Sequence, residues 1–185
     1  VLADLQVDGR PRKVMMQANK NGFLYVLDRT NCELIAANPY VKVNWATHYD
    51  LDTSRPVLTE LYQQFLAGDE VQIWPSRGSN AVPVAFNPDT GLIYTSAWHV
   101  PRIQKLAPTE FVLGRNFTGI ANRFPGVEPG QLLGHFVAID PLTGEKHWEV
   151  PLTDFPSSAG MLATASGLLF TGLLTGEFLA LDAAT

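Results

Sequence analysis

The stretch Ala138-Ile139-Asp140-Pro141-Leu142-Thr143-Gly144-Glu145-Lys146-His147-Trp148 decides the fold. Two apolar residues lead into an Asp-Pro turn, a glycine follows, and a tryptophan closes the unit. In a strand-turn-strand element each of the three has a mechanical job. Asp140 accepts amide hydrogens inside the turn, and Gly144 supplies a backbone conformation that costs other residues energy. Trp148 offers a large flat ring and an N–H donor, suited to wedging between one sheet and its neighbour.

The pattern returns at Leu27-Asp28-Arg29-Thr30-Asn31 and at Leu181-Asp182-Ala183-Ala184-Thr185, and copies at separated positions define an internal repeat. Cys32 is read as a residue standing in for glycine in the first turn. As the only cysteine it can form no internal disulfide, and no Cys or His cluster has metal-ligand spacing. Between the turns the apolar segments are short and rich in Val, Ile, Leu, Phe and Tyr. Gly, Pro, Asn or Asp punctuate them about every eight to twelve residues, which is an all-β signature. The first set of predicted strands is Val1–Val7, Lys13–Ala18, Phe23–Asp28 and Glu33–Asn38. The second is Ala81–Phe86, Leu92–Trp98, His135–Asp140 and Lys146–Val150. The third is Met161–Ala165, Leu168–Gly172 and Glu177–Asp182. Only Thr59–Ala67 has helical character, with Leu61, Phe65 and Leu66 expected on one face.

Two stretches interrupt the repeat, Val41–Ser79 between the first two sets and Val100–Gly134 inside the second. Connections this long are commonly functional or interfacial, and packing over one face of the sheets is the plainest expectation for both.

Composition narrows the function classes. The chain has 185 residues and a net charge of −5, and its Lys and Arg are scattered, so no basic stripe points to nucleic acid. No apolar run approaches the ~20 residues of a membrane span, and Val1–Arg10 lacks the layout of a signal peptide, so any export signal is expected elsewhere. The histidines His48, His99, His135 and His147 have no visible nucleophile or metal partner and are read as surface or packing residues.

The repeat resembles the tryptophan-docking motif of the eight-bladed quinoprotein propellers. Three further stretches resemble the methanol/ethanol family of pyrroloquinoline quinone (PQQ)-dependent alcohol dehydrogenases. The first is Ala18-Asn19-Lys20-Asn21-Gly22-Phe23-Leu24-Tyr25-Val26-Leu27-Asp28-Arg29, where the resemblance implies that Lys20 reaches the quinone carbonyls. An ammonium there withdraws electron density and stabilises the developing oxyanion. The second is Trp74-Pro75-Ser76-Arg77-Gly78-Ser79-Asn80-Ala81-Val82-Pro83, which implies a PQQ contact from Asn80, an amide able both to donate and to accept. Many relatives carry Trp after that Asn. Here Ala81 stands at that position, so the resemblance implies a contact with the cofactor from Ala81 and puts the neighbouring aromatic wall in doubt. The third, Pro156 to Phe170, resembles the entry into the next blade and implies weaker contacts from Ser158 and Met161.

The resemblance therefore implies an incomplete propeller of about three blades, spanning residues 1–40, 80–151 (with the insertion 100–134) and 157–185. Three blades cannot close and hide their sheet edges, so a longer parent is expected. In that parent PQQ would oxidise a small primary alcohol and pass electrons to a cytochrome c, with a calcium or lanthanide ion polarising the quinone; a haem c in the parent is possible. The catalytic Asp is expected upstream of Val1 and the metal ligands further upstream. None of Asp4, Asp8, Asp50 or Asp52 is given the catalytic role, no metal ligand is assigned here, and the segment alone is expected to be inactive. The family implies a periplasmic location. The alternative is a cofactor-free propeller of the outer-membrane assembly type, which would have no need for Lys20 in its Asn-Lys-Asn-Gly turn.

Overall fold

The computed structural model describes residues 1–155 and 159–185. Each repeat unit folds into an antiparallel sheet of neighbouring strands. The first sheet runs in the order β1 (Leu2–Val7), β2 (Arg10–Ala18), β3 (Phe23–Asp28), β4 (Leu34–Pro39). The aspartates of the repeat act as expected. Asp28 accepts the Thr30 amide at 2.7 Å, Asp140 those of Leu142 and Thr143 at 2.8 and 2.9 Å, and Asp182 that of Ala184 at 2.7 Å. The turn closes by Cys32 N–H donating to the Asp28 carbonyl and Gly144 N–H to that of Asp140. Both residues adopt left-handed backbone, at φ 64° and 76°, so Cys32 does stand in a glycine position.

The first interruption holds a hairpin, β5 (Ala46–Asp50) with β6 (Arg55–Leu58), then helix α1 (Glu60–Leu66) and the short β7 (Val71–Ile73). The helix lies where expected, but only Leu61 and Phe65 are half-buried. Leu66 points to solvent at 50% exposure, because a single apolar pair at i, i+4 is all that reaches the sheet beneath.

The second sheet comprises β8 (Ala85–Asn87), β9 (Leu92–Trp98), β12 (Gly134–Ile139) and β13 (Lys146–Leu152), in the order β13-β12-β9-β8. Residues 81–84, expected to open this sheet, stay outside it. Ala81 is left-handed at φ 58° and Pro83 cannot donate to a ladder, so pairing begins at Ala85. The insertion within this sheet is not irregular. Its strands β10 (Arg102–Leu106) and β11 (Ile120–Arg123) pair, and β10 also pairs with β7 of the first interruption, making a separate sheet β11-β10-β7. The two interruptions thus form one structure. The third sheet contains β14 (Leu162–Ala163), β15 (Leu168–Gly172) and β16 (Phe178–Asp182).

The three repeat sheets stack face to face, and the middle one is covered on both sides. Along β9 and β12 the period-2 alternation sends Ile93, Ala97, Val137 and Ile139 toward Val14, Met16, Leu24 and Val26 of the first sheet. Leu92, Tyr94, Phe136 and Ala138 face the other way, onto Met161, Leu169 and Ala183. Trp148 docks between sheets: its indole N–H donates to the Ala183 carbonyl at 3.2 Å and its ring lies 5.9 Å from that of Tyr94. In the opposite direction, Asn38 of the first sheet donates to the Leu142 carbonyl at 3.0 Å.

Candidate functional site

Lys20 sits at the tip of the turn between β2 and β3. The turn is closed by Gly22 N–H donating to the Asn19 carbonyl at 3.0 Å, and Asn19 N–H donates to the Phe23 carbonyl at 2.9 Å. Asn21 holds it from behind: its carboxamide accepts the Phe23 amide at 3.1 Å and donates to the Tyr25 hydroxyl at 2.6 Å. The Trp45 indole donates to the Asn21 carbonyl at 2.9 Å. Gly22, at φ 100°, has no room for a side chain, since a Cβ would lie 2.6 Å from Val43. With its neighbours fixed, Lys20 alone is exposed at the tip.

The loop leading to Asn80 is tied to that turn by its backbone. Gly78 N–H donates to the Lys20 carbonyl at 2.8 Å, and Trp98 N–H donates to the Gly78 carbonyl at 3.2 Å. Tyr40 joins the two parts. Its fully buried hydroxyl donates to the Asn19 carbonyl at 2.7 Å and accepts the Ser79 amide. Burial pushes this phenol well above its ordinary pKa, so it remains a donor throughout the physiological range. A Cβ on Gly78 would overlap the Tyr40 hydroxyl, which fixes glycine at that step.

Together the turn and the loop border an open cavity of about 560 Å³. Lys20, Asn80 and Ala81 all line it, with Gln17, Asn19, Ser79 and Pro83 among the other walls. The volume falls within the roughly 300–1,000 Å³ of small-molecule sites. Its lining contains one cationic side chain, Lys20, and no acidic side chain. The Ser79 hydroxyl is buried without a hydrogen-bond partner among the described residues. A buried hydroxyl in that state has a hydrogen bond to offer a ligand or water. The chemistry of this donor set suits an electron-rich, oxygen-bearing ligand.

Ser158 lies outside the described residues. The side chain of Met161 is buried in the core between the second and third sheets, away from the cavity lining. Its backbone N–H donates to the carbonyl of Pro83 at 3.1 Å, so the third blade entry supports the cavity edge. Tyr40, Gly78 and Ser79 carry much of this architecture without a signal in the sequence. The Tyr40–Ser79 contact joins residues 39 apart, and no spacing rule connects them.

A second cavity, of about 240 Å³, lies on the other side of Lys20 and is lined by Asn21, Trp45, Ser76, Arg102 and Gln104 among others. Among the described residues no three His, Cys, Asp or Glu side chains gather as a metal-ligand group, and no helix is long and apolar enough to cross a membrane.

No protein-family model matches the chain. Sequence comparison finds the quinohemoprotein alcohol dehydrogenase ADH IIB of Pseudomonas putida, 39% identical over 188 residues, which takes in 98% of this chain and 26% of the relative. The quinoprotein ethanol dehydrogenase of Pseudomonas aeruginosa is 36% identical over 185 residues, or 95% of this chain and 29% of that protein. Among solved structures, a europium-containing methanol dehydrogenase superposes with a TM-score of 0.88 at 32% identity, over 99% of this chain and 32% of its own. The quinohemoprotein alcohol dehydrogenase of Comamonas testosteroni gives a TM-score of 0.85 at 31% identity, over 100% of this chain and 29% of its own. The chain therefore spans between a quarter and a third of the length of these relatives. Its sheets are those of their propeller, and along nearly its whole length the chain is a homologue of one portion of the quinoprotein alcohol dehydrogenases.

Proposed function

We propose that this chain forms one wall of a PQQ pocket in a dehydrogenase that oxidises primary alcohols. The observation that carries the reading is the shared cavity: Lys20, Asn80 and Ala81, separated by some sixty residues of sequence, border the same space beside the orphaned Ser79 hydroxyl. These residues fit the group. PQQ bound there would supply the acceptor for the hydride that leaves the alcohol carbon. Lys20 would hold its ammonium against the quinone oxygens, where negative charge develops, and Asn80 would position the ring system by donating and accepting at its rim. Ala81 would leave open the space that a tryptophan fills in many relatives. Ser158 and Met161 are secondary contacts in this reading, Met161 through its backbone link to Pro83.

The remaining parts of the reaction belong to the rest of the parent protein: the Asp that takes the alcohol proton, the ligands of a calcium or lanthanide ion, and the route to a cytochrome c or a fused haem c. The europium in the name of one structural relative and the haem in the names of others support these assignments. The periplasm is the proposed location, and this segment alone is proposed to be inactive.

The test uses the full-length protein reconstituted with PQQ and calcium, with dye-linked ethanol oxidation compared for wild type, Lys20→Arg and Lys20→Ala. Loss of an electrostatic donor aimed at developing charge costs about 10²–10³ in kcat. Lys20→Ala should fall by that much with its circular dichroism unchanged, and Lys20→Arg should recover much of the rate. Unchanged turnover in Lys20→Ala would remove the lysine from the reaction.

A further inference from the structure

The second cavity holds features that the PQQ reading leaves unused. Among the described residues, neither Lys20 nor Arg102 has an ion pair, although the chain as a whole carries 18 acidic against 13 basic residues. Both line this cavity, and no acidic side chain does. The Nε of Arg102 and the hydroxyl of Ser76 are buried without hydrogen-bond partners among the described residues, and both belong to cavity-lining residues. Two orphaned polar groups at one small cavity ask for an occupant that satisfies both. Arg102 is also placed against its own interest: burial and the neighbouring Arg77 both disfavour its charge, while the Phe124 ring, 5.2 Å from the guanidinium, partly offsets this. An anion would relieve that frustration directly.

The other walls narrow the class of anion. Trp45, Ile73 and Pro75 are apolar surfaces, and Asn21 and Gln104 add carboxamides. At about 240 Å³ the space is below the usual range for drug-sized ligands. A cationic end facing an apolar wall suits a carboxylate with a hydrocarbon body better than a fully hydrated inorganic oxyanion. We propose that the cavity between the Lys20 turn and β10 is a binding site for a small organic carboxylate, with Arg102 as the charge partner, the Ser76 hydroxyl as a second donor and Trp45 as the flat wall. Strand β10 carries both Arg102 and Gln104, and its pairing with β7 brings it over the Lys20 turn. The two interruptions of the repeat thereby acquire a joint purpose.

The site is independent of whether the first cavity takes PQQ, because its test reads binding to the cofactor-free full-length protein. The probe is 4-fluorobenzoate observed by ¹⁹F NMR, with 4-fluorobenzamide as the uncharged control and inorganic phosphate as competitor. We expect saturable binding of the acid and none of the amide. Arg102→Gln should weaken binding about tenfold or more, as expected for loss of a charge-assisted hydrogen bond, and Arg102→Lys should restore part of it. Asn80→Ala, which alters only the first cavity, should leave binding unchanged. Equal binding of acid and amide would overturn the proposal. So would binding that survives Arg102→Gln but is lost in Asn80→Ala, or displacement by phosphate at concentrations as low as those of unlabelled benzoate.

Discussion

Gly144 and Cys32 hold the same step of the repeat with different freedom to change. Both are left-handed, but Gly144 abuts the neighbouring sheet, where a Cβ would lie 2.6 Å from the Asn38 Cβ, whereas Cys32 is exposed. Gly144→Ala combines an unfavourable φ with overpacking and should cost about 2–3 kcal/mol. Cys32→Gly relieves the φ penalty at a small entropic cost and should change stability by less than about 1 kcal/mol. Urea unfolding of the two variants checks both figures. The aspartates, the turn glycine and the cysteine were legible in the sequence because their work is local, within a turn of a few residues. The candidacy of Lys20 and Asn80 rests on resemblance, since an exposed lysine in an Asn-rich turn has no physical signature of its own. Tyr40 was not legible at all, because its two hydrogen bonds exist only after distant segments meet.

His135 gives a pH dependence at the same scale. It is 1% exposed on β12, and burial lowers its pKa to about 4 despite a Glu149 oxygen 2.8 Å from Nδ1; Lys146 and His99 reinforce the lowering. Because the folded value lies below the unfolded value of about 6.5, the unfolded chain binds the extra proton first. Stability should therefore be full above about pH 6.5 and decline as pH falls toward about 4, where folded His135 itself begins to protonate. His135→Gln should flatten that part of the stability profile measured by urea midpoints from pH 4 to 7. An unaltered slope in the variant would assign it to other groups.

At the scale of elements, the strands of the three repeat sheets could be placed from sequence because each is a short apolar or alternating run bounded by turn residues, and this holds even for β9 and β12, which pair across the insertion. The strands of the interruptions could not. β7 has three residues, and its partner β10 lies some thirty residues away, so neither length nor periodicity marked the pairing. β8 starts at Ala85 and not at the apolar residues 81–84, because Ala81 is left-handed and Pro83 has no N–H for a ladder. Trp148 is where element meets element. Trp148→Phe retains the ring against Tyr94 and loses the bond to Ala183, so it should cost about 1 kcal/mol. Trp148→Ala loses the packing as well and should cost about 3 kcal/mol. Equal losses in the two variants, measured by denaturant unfolding, would mean that the ring contributes nothing to docking.

At the scale of the whole molecule, three sheets stack with the middle one buried on both faces, and the candidate site lies where the first and second sheets meet. Its walls come from a turn of the first sheet and the segment leading into the second, so the cavity exists only because the blades pack. The fold class followed from the repeat, whereas the joint sheet of the interruptions and the second cavity depend on contacts that no local pattern encodes. We propose this interblade cavity as a quinone site. The most direct measurement is equilibrium titration of PQQ into the full-length apo-protein, in calcium and separately in a lanthanide, for wild type and Asn80→Ala. Saturable, stoichiometric binding by the wild type and clearly weaker binding by the variant are expected. A folded wild type that binds no PQQ under either ion would rule out the quinone site and leave a propeller built for assembly without a cofactor.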